Sequence, residues 1–423
     1  MRKRLSSAGN DEPPSLAAAP FLNDRRLKRV LAVLNADGGE ARVAGGAVRN
    51  ALIGEPVTDV DIATTHTPDR VTELARAADL HVHPTGLDHG TVTVAVDGGG
   101  HGRTFEVTTL RVDVETFGRK ANVQYTDDWT EDAKRRDFTI NALYCDGRGR
   151  VFDPLGGYPD LKRRKVKFVG DPKARIAEDY LRILRFFRFH ATYGKGIPDR
   201  PGLQACVALK EGLAQLSGER VRTEFLKLLV APGAVSAVKT MGRHGILPLI
   251  VPGPADLKTF QRMVELDAAH ALPADPLLRL LALAPLPAET LKERFRLANA
   301  DAKRLAAVEN ASAVAPGFRD LERKIALYHA GSDIFGDAVR LAWSRAKPDA
   351  YPDSAWQALM AFGSGWAIPS FPVTGADLLA RGFTTGPKLG HALRMLEDWW
   401  AASGFPDSKD EILGRLAVLD SAG

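Results

Sequence analysis

Gly45-Gly46-Ala47-Val48-Arg49-Asn50, followed after a short gap by Asp59-Val60-Asp61, decides how this 423-residue chain is read. Residues 41–44 suit a short apolar strand, the glycine pair a tight turn, and residues 47–53 a helix closed by Gly54. Adjacent glycines at a strand-to-helix turn let the backbone approach a ligand and leave free N–H groups at the helix start, an arrangement that favours phosphate. Arg49, one turn in, can add a bidentate donor. Val57-Thr58-Asp59-Val60-Asp61-Ile62 alternates with period two. Asp59 and Asp61 are therefore expected on one face of a strand, about 6.8 Å apart, with Val60 and Ile62 turned to the core. Two carboxylates beside a phosphate cradle suit Mg2+, a hard cation that takes oxygen ligands and a triphosphate together. Each half alone is commonplace, a turn or a solvated strand face; their order and spacing carry the joint reading.

In that order the stretch resembles the first motif of the nucleotidyltransferase superfamily that includes DNA polymerase β. More narrowly it resembles the branch of bacterial tRNA CCA-adding enzymes and bacterial poly(A) polymerases. The resemblance implies Asp59 and Asp61 as the catalytic, metal-holding pair, with Gly46 and Arg49 on the nucleotide. That family usually has Asp after the motif arginine; Asn50 stands here, keeping hydrogen-bonding capacity without the charge.

Bulk properties bound the rest. The length predicts two or three domains with ample core. Apolar content of 45% and charged content of 26% are those of a globular protein that needs no membrane. No apolar run is long enough to span a bilayer. A net charge of +5 suits a polyanionic partner. Two cysteines, Cys145 and Cys206, at no metal-ligand spacing, fit a reducing, cytoplasmic setting. Residues 1–23, rich in prolines and small residues, read as a disordered tail.

A head is expected over residues 24–155. Helices are predicted over 24–34 and from the Thr67-Pro68 cap to about 78, and strands over 86–94 and 104–109 around a turn at 98–102. His81 and His83 lack a nearby third ligand and read as a strand edge or loop. Glu106 is either a third acidic group facing the site or a surface strand glutamate. Helices mixed with antiparallel hairpins give an α+β head. His-Gly-Thr-Val-Thr-Val at 89–94 and Glu106-Val107-Thr108-Thr109-Leu110-Arg111 resemble the CCA-adding branch, and no basic Gly-Arg-Arg-Phe segment of the poly(A) polymerase type stands here.

Arg135-Arg136-Asp137-Phe138-Thr139-Ile140-Asn141-Ala142 sets polar groups beside apolar anchors, the pattern of a packed site's edge. Arg136 can reach a triphosphate, and Asp137 or Asn141 can accept from a sugar hydroxyl. It resembles the family's second motif residue for residue, which implies Arg136 on the nucleotide and Asp137 at the ribose.

Residues 156–230 read as a helical neck. Lys162, Arg163, Arg164, Lys165 and Lys167 suit either a solvated face or a phosphate track. Residues 175–189 contain no helix breaker, and Asp179, Arg182, Arg185 and Arg188 recur every three residues along an otherwise apolar helix. Asp179 and Arg182 are expected to orient each other. Cytosine and adenine each offer an exocyclic amine beside an unprotonated ring nitrogen, which a carboxylate and a guanidinium can read together while rejecting uracil and guanine. The stretch resembles the family's Glu-Asp-x-x-Arg motif, which implies template-independent reading of CTP and ATP by Asp179 and Arg182, with Arg185 and Arg188 as further nucleotide contacts.

From residue 231 helical patterns alternate with Pro/Gly breaks. The resemblance implies a polymerase-β-like head followed by an all-helical neck, body and tail, with the body (231–423) holding RNA. It further implies Mg2+-dependent addition of CTP and ATP to the 3′ end of tRNA, with no DNA or membrane partner. A poly(A) polymerase, a partial CC- or A-adding enzyme, and a catalytically silent RNA-binding protein stay open as alternatives.

Overall fold

The computed structural model, which describes residues 12–83, 90–96, 103–117 and 120–416, centres its first part on the antiparallel pairing of Ala41–Ala44 (β1) with Asp61–Thr64 (β2). Arg25–Leu34 (α1) precedes β1, capped by Asp24, whose side chain accepts from the Arg26 N–H. Gly46–Leu52 (α2) follows it, and Pro68–Ala77 (α3) follows β2, capped by Thr67 with proline in the first turn. Then come His81–His83 (β3), Thr91–Val96 (β4) and Arg103–Thr109 (β5). Arg111–Phe117 (β6) and Lys120–Tyr125 (β7) form a separate hairpin. Trp129–Lys134 (α4), Tyr144–Cys145 (β8) and Val151–Phe152 (β9) close the head.

Among the described residues the main sheet has seven strands in the order β3-β4-β5-β2-β1-β8-β9. Pairing is antiparallel except between β2 and β5, where Ile62 lies opposite Val107 in parallel register. Period-two alternation buries Val43, Ile62, Val92, Val94, Phe105 and Val107 beneath α1 and α3, which bring in Leu27, Val30, Val71 and Ala75. The opposite face carries Asp61 and Glu106 towards solvent. His81 and His83 sit exposed on the edge strand β3.

Residues 12–23 do not behave as a disordered tail. The Leu16 N–H donates to the Gly149 carbonyl at 2.8 Å, and Pro20–Asn23 forms a short 3-10 turn that buries Phe21 and Leu22. Those apolar side chains outweigh the prolines and alanines around them. Residues 1–11, the start of the expected 86–94 strand and the expected turn at 98–102 lie outside the described residues.

After the head come Gly157–Lys162 (α5), Pro172–Glu178 (α6), Leu181–Tyr193 (α7), Arg200–Ala208 (α8), Gly218–Leu229 (α9) and Ala234–Arg243 (α10). The single helix expected over 175–189 is two, because Asp179 takes an extended conformation (φ −157°, ψ 107°) between α6 and α7. Its side chain accepts from the Leu181 N–H, competing with the helical hydrogen bond. α10 packs on α7 and α9, and the Gly233 N–H donates to the Ala191 carbonyl, so the chain divides into units at 250/251 rather than at the expected 230/231.

The second unit, residues 251–423, is helical among its described residues. Asp267 is buried and ion-paired to both Arg279 at 3.0 Å and Arg340 at 2.6 Å, so its charge is compensated where it is desolvated. Trp343 and Trp356 stack in one core cluster; Trp400 anchors another with Leu396 and Ile412. Among the described residues, no helix is long and apolar enough to cross a membrane.

Candidate active site

Gly45 turns between β1 and α2 with φ +66°, a backbone conformation that calls for glycine, and its bare Cα lies close to the Arg136 guanidinium. The turn delivers Arg49, 6% exposed, from α2. Its guanidinium donates to the Asn141 side-chain oxygen, to Asn50 Oδ1 and to the Tyr193 hydroxyl at 2.6 Å, and stacks 4.0 Å over the Tyr193 ring.

A cavity of about 570 Å³ opens there. The glycine turn, Arg49, Arg136 and Asp137 line the head side; Asp179, Arg182, Arg185 and Arg220 line the other. Asp137 accepts from the Asn141 amide and the Phe138 N–H, both at 2.9 Å, and from Arg185. Burial alone would raise its carboxyl pKa, but Arg185 and these hydrogen bonds hold it below the ordinary carboxylate value. Phe138, Ile140, Ala142 and Leu143 are buried, as their apolar character predicts.

Asp179 and Arg182 both face this cavity but do not pair with each other, contrary to the expectation from their spacing. The break between α6 and α7 takes Asp179 off the helical surface where an i, i+3 contact would form. Asp179 instead accepts from Arg220 of α9 at 2.7 Å. Arg182 donates to the Arg175 carbonyl at 2.6 Å and to Glu178. Arg188 lies outside the cavity lining: its Nε donates to Glu224, and its guanidinium sits 4.4 Å over the Phe189 ring. Arg220 and Glu224 thus support the site though motif reading passed them over, and Glu178, the motif's own glutamate, holds Arg182, a role that reading did not give it. The i, i+4 spacing of Glu178 and Arg182 was a visible signal; the reach of α9 to Asp179 was not.

A smaller cavity of about 280 Å³ adjoins, lined by Asp61, Glu106, Thr108, Asp132 and again Arg136, which thus borders both. Burial raises the Asp61 carboxyl pKa, and the negative charges of Glu106 and Asp59 raise it further against the pull of Arg136. β2 begins at Asp61, opposite Ala44, so Asp59 lies ahead of the paired strand; it is exposed, accepts from the Thr58 hydroxyl at 3.1 Å, and its negative charge still acts on Asp61. Glu106 fills the neighbouring place on the sheet, because the parallel β2–β5 pairing sets it beside Asp61. Among the described residues no three acidic, histidine or cysteine side chains stand preassembled as a metal cage. Crowded carboxylates whose mutual repulsion disfavours ionisation nevertheless fit a divalent cation, which would relieve it.

A family profile described as "Poly A polymerase head domain" matches residues 41–167, and one described as "Probable RNA and SrmB- binding site of polymerase A" matches residues 202–258. The mitochondrial CCA tRNA nucleotidyltransferase 1 of Mus musculus is 35% identical over 401 residues, covering 92% of this chain and 89% of that one. The CCA-adding enzyme of Streptococcus gordonii is 34% identical over 377 residues, covering 87% and 90%. The crystal structure of the Bacillus stearothermophilus CCA-adding enzyme in complex with CTP superposes with a TM-score of 0.75 at 27% identity, covering 94% of this chain and 98% of that one. With such identity over nearly the whole of each relative, the chain belongs to the CCA tRNA nucleotidyltransferase family.

Proposed function

We propose that the chain transfers nucleotidyl groups from CTP and ATP to the 3′ hydroxyl of tRNA, building or repairing its CCA end and releasing pyrophosphate. The observation that carries this reading is the meeting of Asp179 and Arg182 with Arg49, Arg136 and Arg185 around one cavity: a carboxylate and a guanidinium for a base, three cations for phosphates. Asp179 accepts from the exocyclic amine of cytosine or adenine, and Arg182 donates to the adjacent ring nitrogen. Uracil or guanine would leave buried polar groups unpaired, at about 1–3 kcal/mol each. Asp137, held by Arg185, faces the ribose. Arg188 supports the wall through Phe189 rather than touching the nucleotide.

Asp61 and Asp59, with Glu106 beside Asp61, would hold Mg2+. Bound there, the ion would activate the RNA hydroxyl and stabilise charge on the α-phosphate and leaving pyrophosphate. Asp59, just ahead of the strand and acting electrostatically on Asp61, would supply the second carboxylate. Residues 12–155 act as the catalytic head, 156–250 as the base-reading neck, and the helical second unit holds the tRNA.

Incubating the protein with tRNA lacking its 3′ end, with CTP alone, ATP alone and both, tests the reading. Two C residues from CTP alone and a completed CCA with both are expected; ATP runs or a single-nucleotide product would move it to a poly(A) or partial-adding activity. Absence of pyrophosphate release would leave only RNA binding.

A further inference from the structure

Asn50 makes two contacts that call for a side chain with one acceptor and one donor. Its Oδ1 accepts from Arg49 Nε at 3.1 Å and Nη2 at 2.9 Å, and its Nδ2 donates to the Pro56 carbonyl at 2.9 Å. A guanidinium only donates and a carbonyl only accepts, so the amide orientation follows from its surroundings. The Asn50 main-chain carbonyl also accepts from the Ile53 and Glu55 N–H groups, tying the loop that leads towards Asp59 to the same residue.

Among the described residues, the side chains that accept from Arg49 (Asn50, Asn141 and Tyr193) are uncharged. Asp137 makes no hydrogen bond to Arg49 among the described residues; it acts on it through its field, hydrogen-bonds the Asn141 amide and is itself paired with Arg185. Arg49 is therefore a buried cation oriented by neutral oxygens. We propose, on the reading of this cavity as the nucleotide site, that Asn50 is a positioning residue that aims Arg49 at the phosphates without tying its guanidinium to a carboxylate. An aspartate here would neutralise much of that charge and set a carboxylate against the Pro56 carbonyl. The loss of the donor would also release the loop ahead of the metal-facing strand.

Three proteins test this: the parent, Asn50→Asp and Asn50→Ser. Binding of inorganic tripolyphosphate is measured by calorimetry at low and high salt, and KM and kcat for CTP and ATP with tRNA lacking its 3′ end. Asn50→Asp is expected to weaken tripolyphosphate binding about tenfold and to raise KM to match, with kcat within about twofold and the deficit shrinking at high salt. Asn50→Ser, neutral but unable to serve both contacts, should lose about threefold, with little salt dependence. Equal losses in the two variants, or parental binding in Asn50→Asp, would overturn the role. Should Asn50→Asp not fold, parental binding and KM in Asn50→Ser overturn it instead. A parent that neither binds tripolyphosphate nor extends tRNA removes the nucleotide reading and this inference with it; a parent that does both while Asn50→Asp matches it removes only the role of Asn50.

Discussion

The carboxylate of Asp137 and the guanidinium of Arg185 meet at 2.6 Å, joining the segment after α4 to α7. Arg185 has a second acidic partner in Glu224 at 3.3 Å, so removing Asp137 does not leave it alone. Asp137→Asn should cost about 2 kcal/mol at neutral pH, the worth of hydrogen bonds to a charged group. Burial raises the Asp137 pKa and Arg185, with the hydrogen bonds, more than reverses it, so the folded value lies below the unfolded one. Its contribution to stability is then complete above the unfolded carboxylate value, about 3.9, and disappears as pH falls through the lower folded value. The gap in melting temperature between parent and Asp137→Asn should be constant from pH 7 to about 5 and close below about 4. A gap that persists in acid would mean that Asn141 and Phe138, not the ion pair, hold the segment.

Asp61 presents the opposite sign. Burial, then Glu106, raises its carboxyl pKa, so its ionised form is disfavoured by the fold at neutral pH and the associated stability is lost as pH rises through the folded value. Asp61→Asn should therefore melt about 2 °C higher than the parent at neutral pH while losing nucleotide incorporation. Mg2+ should raise the parent's melting temperature and leave that of Asp61→Asn unchanged. An Asp61→Asn protein that incorporates nucleotide would remove this carboxylate from the chemistry. Glu106→Gln should require more Mg2+ for half-maximal rate, a titration that a merely exposed strand glutamate would not shift.

Specificity should depend on residues behind Asp179 and Arg182, the two proposed to read the base. Arg220 holds Asp179 at 2.7 Å, and Glu178 holds Arg182. Arg220→Ala frees the carboxylate to rotate and Glu178→Gln weakens the grip on Arg182. Each should reduce discrimination of CTP and ATP against UTP and GTP about tenfold, equivalent to roughly 1.4 kcal/mol. Arg182→Ala should do so more severely. Misincorporation assays with each nucleotide alone measure this, and unchanged discrimination in Arg220→Ala would detach α9 from base selection.

What the sequence made legible was local. The run from Ala41 to Asn50 folds as its glycines and periodicity direct, and Thr67-Pro68 starts α3. Phe138, Ile140 and Leu143 are buried where their alternation with polar groups put them. What stayed open or was missed is long-range. The sequence leaves Glu106 open between the site and the surface, because it meets Asp61 through a parallel pairing of strands separated by a helix and two further strands, which no local period encodes. Arg220 reaches Asp179 across 41 positions, and Arg185 reaches Asp137 across 48. The break at Asp179 was invisible because no glycine or proline marks it; an acceptor side chain bonded to the Leu181 N–H does. In the second unit, the Asp267 partners Arg279 and Arg340 are brought together only by helix packing.

The N-terminal strap supplies the last test. Gly149 has φ +88°, and a Cβ there would lie 2.1 Å from the Ala17 nitrogen, a main-chain atom that cannot swing aside. The Gly149 carbonyl meanwhile accepts from the Leu16 N–H and the Ser15 hydroxyl. Gly149→Ala must therefore both strain its own backbone and push residues 15–17 away, freeing Leu16, Phe21 and Leu22 to leave the head. The strain alone costs about 1–3 kcal/mol, and each apolar side chain exposed adds about 1.5–3 kcal/mol. A fall in melting temperature of at least about 5 °C is expected, with new protease cleavage within 12–23. Deleting residues 1–23 should destabilise similarly, and adding Gly149→Ala to the deletion should cost only the backbone strain, so the two changes are sub-additive. Full additivity would show that the strap and the 146–149 turn do not depend on each other.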